Sequence, residues 1–187
     1  MQSNLIRLFL CIFFLQLCID ISAYDFQRDG IYYNILSEEE ATCEVTSEYD
    51  YEYPESSYSG YVVIPETVFD SYWNGKEYKV IGIGDWAFYN SQLDGISLPS
   101  TIESIGKFSF ENCTGISSLI LPENIKYVGD DAFAYSNLGG SLIIPNSCKY
   151  VGASAFFETN ISVTMFAVGN TNEPIGDSPY AVKCSAP

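Results

Sequence analysis

The chain has 187 residues, 8 Lys and Arg against 24 Asp and Glu, a net charge of −16, and no histidine. Without imidazole there is no Ser-His-Asp triad, no Cys-His dyad, no histidine metal ligand and no imidazole switch near pH 7. The negative charge opposes binding to nucleic-acid phosphates and to anionic membranes, while 47% apolar residues with 15 Tyr and 12 Phe mark a folded chain rather than an acidic disordered one.

Residues 1–23 read as a secretory signal peptide. Arg7 precedes an apolar run from Leu8 to Ile19, and Ile21-Ser22-Ala23 ends on the small residues of a cleavage site. The run is shorter than the roughly 20 residues a transmembrane helix needs, so no transmembrane span is expected in the mature chain. Cys18 follows Leu17, where lipoprotein processing wants a small residue. Cleavage removes Arg7 and Asp20, which leaves the charge at −16, and leaves Cys43, Cys113, Cys148 and Cys184. Four cysteines in an exported chain permit two disulfides in three connectivities. Two of them occupy similar places in a repeat, so buried free thiols are the alternative.

Residues 24–60 hold the acid and tyrosine excess. Asp25-Phe26-Gln27 and Gly30 to Ile35 read as a hairpin around Arg28-Asp29-Gly30, and Ala41 to Thr46 as a third strand. Glu48-Tyr49-Asp50-Tyr51-Glu52-Tyr53 alternates acid with aromatic. As a strand it places Tyr49, Tyr51 and Tyr53 on one face; as a loop it is a solvated, self-repelling tract. The D-x-[DN]-x-[DN]-G pattern of a calcium loop is absent. Further on, Asn74-Gly75 predicts a hairpin joining Phe69–Trp73 to Lys76–Val80, with Trp73 a lesser contact candidate.

From there the chain repeats. Ile83-Gly84-Asp85-Trp86-Ala87-Phe88, Ile105-Gly106-Lys107-Phe108-Ser109-Phe110, Val128-Gly129-Asp130-Asp131-Ala132-Phe133 and Val151-Gly152-Ala153-Ser154-Ala155-Phe156 share one skeleton, whose glycines and phenylalanines both step by 22, 23 and 23. A proline closes each of the short apolar strands Ile96-Ser97-Leu98-Pro99, Leu119-Ile120-Leu121-Pro122 and Leu142-Ile143-Ile144-Pro145, again 23 apart. Val62-Val63-Ile64-Pro65 reads as an earlier strand of this kind. A 23-residue unit cannot bury its own apolar residues, but stacked units share a core. Period-2 alternation points Ile96, Leu98, Leu119, Leu121, Leu142 and Ile144 inward. Pro99, Pro122 and Pro145 end their strands for want of an N–H. The glycines suit a tight corner, and Phe88, Phe110, Phe133 and Phe156 stack from the opposite wall. Residues 167–187 form an irregular tail that caps the last turn or stays partly mobile.

The unit I-G-x-x-A-F, an Asn/Cys/Ser turn, then L-x-x-[IL]-x-[LI]-P resembles the BspA-like leucine-rich repeats of secreted and surface proteins of gut and oral bacteria and some parasitic protists. The likeness covers residues 61–166. Ser109 replaces Ala in the second copy, and the fourth copy lacks the strand-ending proline. The resemblance implies an α/β-type, β-dominated leucine-rich repeat solenoid of short parallel strands and 22–23-residue repeats. It implies an N-terminal β cap over 24–60 and a role in adhesion or binding, at a host surface among other places, rather than catalysis.

Other motifs give way to the repeat. Gly82-Ile83-Gly84-Asp85-Trp86-Ala87 fits G-x-G-x-x-A, but Gly84 and Ala87 recur as repeat positions and no βαβ unit surrounds them. Asp130-Asp131 aligns with Asp85-Trp86, Lys107-Phe108 and Ala153-Ser154, so no ladder of acids supplies paired carboxylates for a hydrolase. Asn112-Cys113-Thr114 and Asn160-Ile161-Ser162 are N-glycosylation sequons. No catalytic, cofactor or metal residues are assigned.

The outward row of the strands is the candidate binding face: Ser97, Ile120 and Ile143 side by side, with Gly95, Ser118 and Ser141 next to them. A smooth, partly apolar sheet face suits a protein or glycan ligand. The alternatives are covering by the tail and self-association with another copy. Tyr49, Tyr51 and Tyr53 form the second candidate contact segment.

Overall fold

The structure, a computed structural model, describes residues 23–49, 56–71 and 75–165. The signal segment, Tyr51, Tyr53, Trp73, Cys184 and the 167–187 tail lie outside them. Among the described residues there are twelve strands and no helix.

β1 (Phe26–Arg28) and β2 (Ile31–Ser37) form the antiparallel hairpin expected around Asp29-Gly30, with Arg28 opposite Ile31. Asp29 at φ 51° and Gly30 at φ 81° make the two-residue turn whose twist matches the strands. β3 (Thr42–Thr46) adds antiparallel to β2, and its other edge runs parallel to β6 (Lys76–Ile83). β5 (Thr67–Asp70) folds back on β6 as the predicted second hairpin, with Asp70 opposite Lys76. From β6 a parallel ladder continues through β8 (Ser104–Ile105), β9 (Tyr127–Val128) and β11 (Tyr150–Val151), one short strand per repeat.

This ladder sits immediately before the repeat glycines, not at the L-x-L-P segments where apolar alternation placed the strands. The reason is backbone proximity. A Cβ on Gly106, Gly129 or Gly152 would lie 2.6, 2.6 or 2.3 Å from the backbone nitrogen of Asp85, Lys107 or Asp130 in the preceding coil. Successive coils therefore meet closely here, and the N–H groups of Gly106, Gly129 and Gly152 each donate to the coil before at 2.8 Å.

The L-x-L-P segments form a second, interrupted row. β4 (Ser59–Val63) pairs in parallel with β7 (Gln92–Ser97), and β10 (Gly139–Ile144) with β12 (Asn160–Met165). Between these pairs, residues 116–121 occupy the same row without forming a strand.

The α component implied by the α/β-type resemblance is corrected by the corner that follows each glycine. Trp86, Phe108, Asp131 and Ser154 have positive φ, and so do Asn90, Asn112, Tyr135 and Glu158 four residues later. Left-handed residues at that spacing prevent a right-handed helix. Alternate N–H groups reach across to the next coil instead: Trp86, Phe88 and Asn90 donate to the carbonyls of Lys107, Ser109 and Glu111 at 2.8–2.9 Å, and later coils repeat the pattern.

The core runs along the stack. Phe88, Phe110, Phe133 and Phe156 stack with centroids 5.0, 5.1 and 5.4 Å apart and interplanar angles of 13°, 2° and 4°. Ile83, Ile105, Val128 and Val151 form a second buried column. Ile96, Leu121, Leu142 and Ile144 are buried as the alternation predicted, with Leu98 and Leu119 packed partly against them. Phe26, Tyr33, Cys43 and Val45 of the lead-in belong to the same core.

Candidate binding face

Pairing of β4 with β7 sets Val63 opposite Ser97 and Tyr61 opposite Gly95. The first pair extends the row of Ile120 and Ile143, the second that of Ser118 and Ser141. All these positions face outward. Ser97, Ser118 and Ser141 are exposed, and the apolar members are strongly so: Ile120 at 88%, Tyr61 at 66%, Val63 at 62% and Ile143 at 52%. The Tyr61 ring lies against Gly95, where a Cβ would come within 2.9 Å of two ring carbons, so the absent side chain at 95 makes room for the aromatic.

A groove of about 560 Å³ runs between β7 and residues 117–124. Tyr61, Ser97, Ser118 and Ile120 line it, with Asp94 and Glu123. Ser141 and Ile143 lie one coil beyond, on β10. The structure thus gathers Ser97, Ser118 and Ile120 of the candidate face at one groove. Sequence reading missed Tyr61 and Val63, although the Val62-Val63-Ile64-Pro65 segment carried the same alternation as the other strands. A second, more polar groove of about 760 Å³ lies around the neighbouring corner, among Ser57, Ser59, Asn90, Gln92, Asn112 and Thr114. Of the Tyr segment, Tyr49 is exposed and its carbonyl accepts the Ser47 hydroxyl at 2.7 Å; Tyr51 and Tyr53 lie outside the described residues.

The sequence model described as the BspA type leucine rich repeat region matches residues 73–184 in six copies. The chain belongs to the BspA-type leucine-rich repeat family. Its fold is similar to a leucine-rich repeat protein from Bacteroides capillosus, at 28% identity and a TM-score of 0.59, covering 76% of this chain and 98% of that one. It is also similar to the T. pallidum leucine rich repeat protein, at 21% identity and a TM-score of 0.52 over 71% of this chain and 66% of that one, which supports the fold alone. No curated protein matches the chain.

Within this BspA-type stack, the other candidate groups have structural tasks. Cys43 and Cys113 are buried free thiols, and Cys148 is a half-buried one. Cys113 Sγ donates to the Phe88 carbonyl at 2.9 Å and lies 3.1 Å from Ser91 Oγ. Ser136 and Thr159, at the equivalent positions one and two repeats later, bond instead within their own coils, to the Phe133 and Phe156 carbonyls at 2.7 Å. Cys113 therefore ties its coil to the one before, while Ser136 and Thr159 close their own turns. Burial pushes the Cys113 thiol up to about 11 and the Cys43 thiol up to about 12, which keeps both neutral and unreactive.

The Asp130-Asp131 pair does not converge on a cleft. Asp130 Oδ2 pairs with Lys107 Nζ at 3.1 Å, and its Oδ1 accepts the Ala153 N–H at 3.0 Å and the Tyr150 hydroxyl at 3.1 Å. Burial raises this carboxyl, but the bonds from Lys107, Ala153 and Tyr150 overcome it, and the net pKa lies below the ordinary value. Asp85 does the same in the first coil by accepting the Lys107 N–H at 2.7 Å. Among the described residues, no three His, Cys, Asp or Glu side chains gather as a metal site, and no helix is long and apolar enough to cross a membrane.

Proposed function

We propose that the chain is an exported, non-enzymatic repeat protein that binds a protein or glycan partner at a cell surface or in the secreted state, through the outward face of the β4–β7–β10 row. The observation that carries this reading is the exposed apolar row itself. Ile120 and Ile143, with Val63 in line and Tyr61 in the row beside them, are large apolar side chains turned to water, and contiguous patches of this kind mark interaction sites. The repeat family and the cleavable signal-peptide pattern at 1–23 support the surface assignment. In this reading residues 24–60 cap a solenoid formed by 61–166, and Tyr49, Tyr51 and Tyr53 give a secondary contact segment.

The test is direct binding of the purified mature chain to a panel of extracellular proteins and to a glycan array, wild type against Ile120→Asp with Ile143→Asp. Both residues are exposed, so the variant keeps its unfolding midpoint and is expected to lose its partner. Binding that survives both substitutions sinks the face reading. Sedimentation of both proteins over a concentration series separates capture of a partner from self-association through the same row.

A further inference from the structure

The groove between β7 and residues 117–124 carries a second property besides apolar exposure: an interrupted backbone ladder. At its two ends neighbouring coils touch. A Cβ on Gly115 would lie 2.1 Å from the Leu93 carbonyl oxygen, and the Asn124 side-chain amide donates to the Ser100 carbonyl at 2.9 Å. Between these contacts the N–H groups of residues 117–121 bond to no described part of the chain, and β10 reaches back only through the Gly139 N–H on the Ser117 carbonyl at 3.0 Å. The β4–β7 and β10–β12 pairs on either side of it are joined through paired backbone. The groove therefore offers unpaired main-chain donors beneath Tyr61 and Ile120.

Its charge is also one-sided. Asp94 lies near the start of the groove and Glu123 just past Pro122 at its end, and no Lys or Arg lines it. Both acids are exposed, and among the described residues neither has an ion-pair partner. Five extended residues, 117–121, separate the two ends, roughly 16 Å at the usual rise.

We infer that the groove takes an extended cationic segment of a partner protein. Such a segment supplies main-chain donors and acceptors at strand spacing, which the interrupted ladder lacks. An apolar residue seats between Tyr61 and Ile120, and basic residues five or six apart meet Asp94 and Glu123. Charge of opposite sign speeds encounter and sets the register; anionic glycans and acidic peptides are repelled.

This inference rests on the outward face being a binding surface, and the experiment separates the two. The probe is a fluorescein-labelled nonapeptide of alternating Val and Thr with a Lys pair at each end, followed by anisotropy. Its controls carry Glu pairs at the ends, or proline at alternate central positions. The Lys-ended peptide is expected to bind at least tenfold more tightly than either control, and about tenfold less tightly to Asp94→Asn with Glu123→Gln, whose unfolding midpoint stays that of wild type. A rise in salt weakens the Lys-ended peptide most. No binding of that peptide, or equal binding of the Glu-ended one, overturns the inference. If those failures occur while Ile120→Asp with Ile143→Asp still abolishes partner binding, the face reading stands and only its cationic-segment version falls.

Discussion

Glu44 occupies a notch that two glycines leave for it. It follows the register shift in the β3–β6 pairing. A Cβ on Gly84 would lie 3.1 Å from its Oε1, and one on Gly82 3.3 Å from its Cβ. The G-x-G spacing thus makes room for a carboxyl, not a phosphate. Burial, and secondarily the charge of Asp85, push this carboxyl up to about 7 from an ordinary 4.5. The folded chain then holds a proton that the unfolded chain releases between these values. Its stabilising contribution is complete below about pH 4.5 and is lost as pH rises through 7, a change of about 3 kcal/mol. Glu111 and Asp131 are raised in the same direction, mainly by burial, so the informative quantity is a difference between proteins. Glu44→Gln should be more stable than wild type at pH 8 by roughly 2 kcal/mol and closer to it at pH 5. Urea unfolding at the two pH values measures this, and a wild type whose gap to Glu44→Gln is the same at both excludes the shifted carboxyl.

At the scale of the element, the phenylalanine column decides how tightly one coil holds the next. Phe110 is fully buried, with Phe88 5.0 Å away on one face and Phe133 5.1 Å on the other. Phe156 is only partly buried and stacks on Phe133 at 5.4 Å. Phe110→Ala removes a large core side chain and two stacking partners, at about 3–5 kcal/mol. Phe156→Ala should cost roughly half as much, and equal losses in denaturant unfolding would contradict a column whose interior members matter more. Of the prolines expected to end strands, Pro145 directly follows one and Pro122 follows none. The phenylalanine column was legible in the sequence because one stacked unit must present the same residue at the same corner every 22 or 23 positions. The location of the continuous ladder was not. Alternation in Leu119-Ile120-Leu121 records which side chains face the core, and that reading was correct, but pairing depends on how closely two backbones approach. That distance is set at Gly106, Gly129 and Gly152, whose role the sequence shows only as a bend. The left-handed Trp86 and Phe108 gave no local signal either, since inter-coil hydrogen bonds, not the residues' own preferences, hold them there.

Across the whole molecule, one residue above all joins the lead-in strands to the repeats. Tyr58 extends the phenylalanine column, its ring 4.6 Å from Phe88. It escaped the repeat count because it stands 7 residues before Pro65, where Phe88 stands 11 before Pro99, so it does not occupy the repeat phenylalanine's position. Its hydroxyl donates to the Thr46 carbonyl on β3 and accepts the Tyr32 N–H of β2, both at 2.9 Å. Burial holds this phenol far above its ordinary pKa, so the donor proton stays in place at every pH at which the chain folds. One oxygen thus joins two lead-in strands to the repeat core. Tyr58→Phe preserves the ring and removes that oxygen, leaving a buried carbonyl and a buried N–H unpaired, which costs about 1–3 kcal/mol. In a chain of this size about 2 kcal/mol lowers the unfolding midpoint by roughly 4–8 °C. Because each coil contacts only its neighbours, the damage should stay local. Amide exchange in β2 and β3 is expected to accelerate by tenfold or more while β9 and β11 keep their wild-type rates. Uniform acceleration through all four strands would show instead that the lead-in and the repeats open as a single cooperative unit.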